Sequence, residues 1–154
     1  MNHKPLLTIV LTLACLACSS PLEAQVTTQL DRINWATSPE LAMSKAHNSH
    51  LPILAFVTSE HCSYCRKMER EVWSNPQIIA QVKAGFVPVK LNASRHRQLV
   101  AKLGVRAFPT TIMFTPEGKI INGAKGYMPP NRLAGLLRTA HPAVVAAHRL
   151  PSVE

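Results

Sequence analysis

The sequence predicts one α/β domain, a central mixed β-sheet flanked by helices, preceded by an N-terminal signal segment. Three observations predict it. Two apolar stretches of strand length, the unbroken Ile53–Val57 and the later Phe86–Leu91, alternate with segments that carry helix start and stop signals. Beyond Thr110 the pattern changes to two short apolar runs flanking Pro116, Glu117 and Gly118, as an antiparallel hairpin requires. The 154 residues are 47% hydrophobic and 16% charged, which supplies one packed core and argues against a disordered chain.

The first 24 residues read as an export signal. Lys4 precedes the apolar run Leu6–Ala17, which is shorter than the roughly 20 residues of a membrane span and fits the apolar region of a signal peptide. Leu22, Glu23 and Ala24 offer a cleavage site before Gln25. An uncleaved anchor and lipidation at Cys15 or Cys18 are the alternatives. Each of these cysteines follows a small residue, but neither has the leucine three positions upstream that lipidation prefers. The expected address is the periplasm or the exterior, with lipoprotein anchoring left open.

Residues 25–37 form a lead-in, from which Ile33 and Trp35 can tuck against the domain expected over 38–140. Ser38 as cap, Pro39 at the first position and Glu40 beside the helix dipole open a helix that Pro52 ends. Ile53–Val57 then suits a strand buried on both faces. Beyond the cysteines, Arg66–Trp73 is rich in helix formers, with Cys65, Met68 and Val72 on one face. Asn75 and Pro76 start another helix, whose inner face is Ile78, Ile79 and Val82 and whose cap is Gly85. Phe86–Leu91 is the second strand. Ser94 is expected to start a helix pointing Leu99, Val100 and Leu103 inward until Gly104. The hairpin and a last helix from about Pro130 to Thr139 complete the domain, and 141–154 is a tail.

Charge is lopsided, with 17 Lys plus Arg against 8 Asp plus Glu, a formal +9. The cations are scattered and aromatics make up 5%, so a nucleic-acid module, which clusters cations among stacking rings, is set aside. A solvated surface suited to acidic partners or an anionic membrane face fits better.

Signal cleavage would remove Cys15 and Cys18 and leave Cys62 and Cys65, a pair too close in sequence to staple the fold usefully. An exported compartment permits disulfides. A strand leading into Glu60, His61 and Cys62 and then a helix sets Cys62 at the helix N-terminus, where unpaired N–H groups stabilise a thiolate. Such positions bring a cysteine from about 8.5 to roughly 3.5–7.5. A protonated His61 would add to this. Cys62 is thus the expected nucleophile, and Cys65, one turn inside, the resolving thiol. Haem attachment requires His after the second cysteine, where Arg66 stands. A structural zinc site needs four ligands, and the histidines at 47, 50, 61, 96, 141 and 148 are scattered. No cofactor and no resident metal are expected.

Cys62-Ser63-Tyr64-Cys65, then Ala107-Phe108-Pro109-Thr110-Thr111, together with the β-α order, resemble the thioredoxin superfamily. The stretch from Trp35 through Glu69 is similar to bacterial thioredoxin-like domains related to the C-terminal domain of the transmembrane disulfide reductase DsbD. The resemblance implies a thioredoxin fold, a cis Pro109 packed on the cysteines and a Phe108 backbone free to pair with substrate. His61, Phe108 and Pro109 are then the substrate-binding residues, and Glu60 and Lys90 the candidates for tuning thiol ionisation. Lys90 resembles the lysine near the thioredoxin active site, and a surface charge at a strand end is its other reading. Two positions depart from the family: Phe56 stands where thioredoxin has a buried aspartate that moves the resolving thiol's proton, and His61 stands where thioredoxin has Trp.

The function implied is a protein-disulfide oxidoreductase, leaning toward reduction, acting on disulfide-bearing protein substrates and recharged by a membrane thiol donor. A monomer is expected. The residues leave a second reading open, a thioredoxin-fold binding or metallochaperone-like module in which the two thiolates hold Cu(I).

Overall fold

A computed structural model describes residues 32–140. The predicted signal segment 1–24, residues 25–31 of the lead-in and the tail 141–154 lie outside the described residues. In chain order the elements are α1 Pro39–Ser49, β1 Ile53–Thr58, α2 Ser63–Glu71, α3 Pro76–Gly85, β2 Val87–Asn92, α4 Arg97–Lys102, β3 Thr110–Phe114, β4 Ile120–Lys125 and α5 Pro130–Thr139. The sheet order is β2-β1-β3-β4, with β2 parallel to β1 and with β3 and β4 antiparallel to their neighbours. A parallel pair needs a long crossover, which α2 and α3 supply. The mixed sheet flanked by helices is the thioredoxin fold.

All six residues of β1 are buried, which accounts for its unbroken apolar run. Successive side chains point to opposite faces. Leu54 and Phe56 join Met113, Met68 of α2 and its cap Val72, Ile78 and Val82 of α3, and Leu133 and Leu137 of α5 in one cluster. Ile53, Ala55 and Val57 face the other way, with Val89, Leu91, Ala42 and Ala46 of α1, and Val100 of α4. The lead-in contributes Ile33, which is buried, and Ala36, which bridges to Val89 and donates its N–H to the Pro88 carbonyl at 2.8 Å.

Caps set the helix ends. The Ser38 hydroxyl accepts the Leu41 N–H at 3.1 Å, and Asn75 Oδ1 accepts the N–H groups of Gln77 and Ile78 at 3.0 and 3.3 Å.

Three local expectations shift. The helix expected from Ser94 begins at Arg97, because Asn92 Oδ1 takes the N–H groups of Ser94 and Arg95 and its carbonyl takes that of His96, closing a turn first. Gly85 is the buried last residue of α3 rather than a left-handed cap, since Phe86 is already extended at φ −143 on its way into β2. Gly104, at φ +65, does take the left-handed conformation where the α4 segment ends. Finally, Phe86 keeps its N–H on the Val82 carbonyl, so β2 starts at Val87 and runs to Asn92.

Among the described residues no helix is long and apolar enough to cross a membrane.

Candidate active site

β1 ends at Thr58, and four residues later Cys62 caps α2 with extended backbone angles of φ −90 and ψ 101. The cap is made by sulfur. Cys62 Sγ accepts the Cys65 N–H at 3.0 Å, the place a Ser or Asp oxygen usually takes. Its position at the first unpaired N–H groups of α2 is the electrostatic setting that favours a sulfur anion.

Cys62 and Cys65 are joined in a disulfide, with Cα atoms 5.2 Å apart. The two sulfurs differ in access: Cys62 is half-buried, whereas Cys65 is 1% exposed and packs in the core beside Phe56 and Met68. One cysteine is reachable from solvent and the other is enclosed behind it. His61 and Tyr64 are exposed around them, Tyr64 at 60%.

The Phe108–Pro109 peptide bond is cis. Pro109 is buried and Phe108 is half-buried, packed against both core clusters. Thr110, next in the chain, pairs with Val57 of β1, so this loop lies at the sheet end from which β1 runs to Cys62. The Pro109 carbonyl accepts the Gly126 N–H at 2.7 Å, and Gly126 sits at φ +84, where a side chain would be strained. Next to it, Tyr127 reaches α2: its hydroxyl donates to Glu71 Oε2 at 2.7 Å, and Lys67 Nζ lies 4.9 Å from its ring centroid. The Glu71 carboxylate accepting that proton raises the Tyr127 ionisation above its ordinary range.

Phe56 is fully buried and forms an aromatic cluster with Trp35 and Trp73 at centroid distances of 5.2 to 6.1 Å. Its register partner on β2 is Lys90, and Lys90 pairs with Glu69 of α2. These residues line a cavity of about 570 Å³ together with Arg32. The carboxylate nearest Cys65 along α2 is therefore Glu69, four residues on and one turn away. Glu60 is exposed, with no hydrogen bond or ion pair among the described residues.

Sequence reasoning missed Glu69, Tyr127 and Gly126. Helical spacing from Cys65 could have marked Glu69, whereas no local signal joins Gly126 to Pro109 across 17 residues of chain. Among the described residues no group of three or more His, Cys, Asp and Glu is arranged to hold a metal ion, so the copper reading rests on two thiols alone.

A helix-capping cysteine, a buried partner one turn behind it and a proline loop at the same sheet end define a dithiol–disulfide site of thioredoxin type. The chain belongs to the thioredoxin-like domain family, which matches residues 39–141. It is 30% identical over 104 residues to the thiol:disulfide interchange protein DsbD of Photorhabdus laumondii, covering 64% of this chain and 18% of that one. To the thioredoxin-related protein DsbJ of Chlamydia pneumoniae it is 32% identical over 96 residues, 61% of this chain and 28% of that one. The chain thus spans less than a third of the length of these relatives. Among solved structures, a Thermus thermophilus thioredoxin superposes with a TM-score of 0.63 at 22% identity, covering 76% of this chain and 96% of its own. The oxidised DsbD C-terminal domain of Neisseria meningitidis gives 0.58 at 16% identity, with 66% and 92% covered. At these identities the likeness speaks for the fold.

Proposed function

We propose that the chain is an exported disulfide reductase that passes two electrons from Cys62 and Cys65 to disulfides of partner proteins. The observation that carries this reading is the unequal access of the two sulfurs, with the accessible one at the helix N-terminus. In the dithiol form the Cys62 thiolate attacks one sulfur of the partner's disulfide and releases the other as a thiolate. Cys65, once deprotonated, attacks Cys62 Sγ; the second partner sulfur leaves, and the Cys62–Cys65 bond forms. The partner gains two electrons, and its thiolates take up protons. Phe108 and Pro109 hold the incoming chain beside Cys62, and His61 contributes to that surface.

Phe56 cannot accept the Cys65 proton. Glu69, one turn along α2 from Cys65, paired with Lys90 and lining the cavity beside Phe56, is the carboxylate that takes it. Lys90 acts through Glu69.

Export rests on residues 1–24. In an oxidising compartment the pair would stay a disulfide without an electron source, so a membrane thiol donor recharges it. Insulin reduction with dithiothreitol as donor tests the reading: turnover lost on Cys62→Ser supports it, and equal turnover in that variant contradicts it. A potential near about −270 mV fits a reductase, and one near about −120 mV fits an oxidant instead.

A further inference from the structure

Between Glu71 and Glu117 the chain has no acidic residue, yet Lys83, Lys90, Arg95, Arg97, Lys102 and Arg106 fall in that interval. Folding brings part of this imbalance to the sheet end that carries the cysteine pair. Thr58 and Asn92 are register partners where β1 and β2 end, and the Ala93 N–H bonds to the Thr58 carbonyl at 2.8 Å. Arg95 therefore follows the turn beside the loop to Cys62. Arg106 precedes the Phe108–Pro109 loop by two residues. Lys125 closes β4 opposite Thr110, and Arg66 directly follows Cys65.

Arg66, Arg95, Arg106 and Lys125 are all exposed, and among the described residues none has a carboxylate partner. On α2, Glu69 is held by Lys90 and Glu71 by Tyr127, so Glu60 is the carboxylate left free in the loop before Cys62. Unpaired like charges at one end of a small domain steer oppositely charged partners over about a Debye length, roughly 10 Å at 0.1 M salt.

We propose that this sheet end is a docking surface for an acidic segment flanking the disulfide of a protein partner, an inference that rests on the thiol-exchange reading above. The same cations suit an anionic membrane. A protein partner is favoured because they lie on segments adjoining the Cys62 loop and the proline loop, where a partner's sulfur must arrive, and because Tyr64, between the two cysteines, is exposed as an aromatic anchor of the kind protein interfaces use.

Two synthetic peptides with the same disulfide loop, one flanked by glutamates and one by lysines, test the proposal. Their reduction by the reduced protein is followed from about 0.02 to about 0.3 M ionic strength. The acidic peptide is expected to react about tenfold faster or more at low salt, with the preference shrinking to about twofold at high salt. Arg95→Glu with Arg106→Glu should abolish the preference and leave reduction of uncharged hydroxyethyl disulfide intact. Lys119→Glu, in the hairpin turn at the opposite sheet end, should retain it. If the double reversal fails to fold, Arg95→Gln with Arg106→Gln should still weaken the preference.

Equal rates for the two peptides would overturn the docking surface, as would an equal loss in Lys119→Glu, which would make net charge the cause. Binding to phosphatidylglycerol vesicles with no preference between peptides would assign the cations to a membrane instead. Failure of the wild type to reduce hydroxyethyl disulfide would overturn the exchange reading beneath it, whereas reduction without charge preference overturns the docking surface alone.

Discussion

Cys62 caps α2 with its sulfur, the atom proposed to attack, so the geometry that starts the helix also favours the anion. Cys65, buried one turn on, has one reachable target, which is Cys62. Cys65→Ser should keep the first attack and lose the second, accumulating mixed disulfides that non-reducing gels and mass spectrometry reveal. Glu69→Gln should slow resolution by about 10²-fold while changing the first attack little, a split that rapid-quench kinetics of the two steps would read. Equal effects on both steps would remove Glu69 from the proton path. The cysteines were legible because a Cys-X-X-Cys between a strand and a helix is a local pattern. Helical spacing could have marked Glu69, but not its pairing with Lys90, which depends on the β1–β2 register that sets Lys90 beside Phe56.

Caps and buried faces explain most of the helices, and they also mark where reading the sequence stops. Asn75 caps α3 with two hydrogen bonds from its side chain, so Asn75→Ala should cost about 1 kcal/mol in urea unfolding. Met68, fully buried on the inner face of α2, should cost about 2–5 kcal/mol as Met68→Ala. At α1, the backbone N–H first and the Ser38 hydroxyl second hold the Glu40 carboxyl below its ordinary range. A carboxyl lowered by folding stabilises above its unfolded value and loses that contribution as pH falls through the folded one. The thermal midpoint of Glu40→Gln should therefore lie below wild type at pH 7 and converge on it as the carboxyl is protonated in acid. Starts at Ser38 and Asn75 were legible because the capping side chain is adjacent to its helix. Ser94 misled because Asn92 captured the N–H groups around it and delayed α4 to Arg97.

The whole domain is held by a sheet covered on both faces, and its site is assembled where β1, β2 and β3 meet at one end. The alternation of runs and helices made that architecture legible. The tie from Gly126 to Pro109 and the hold of Tyr127 on α2 were hidden, because each joins segments distant in sequence. Leu137 and Ala140 are buried at the end of α5, so a chain ending before Leu137 should lose at least about 2–5 kcal/mol of unfolding free energy, read by urea unfolding. Disulfide exchange at this site depends on an ionised Cys62. Alkylation of that thiol in the Cys65→Ser protein, followed by mass spectrometry from pH 3 to 10, tests it most directly. A rate midpoint within roughly 3.5–7.5 is the predicted result, and a midpoint at or above the free-cysteine value of about 8.5 would contradict it.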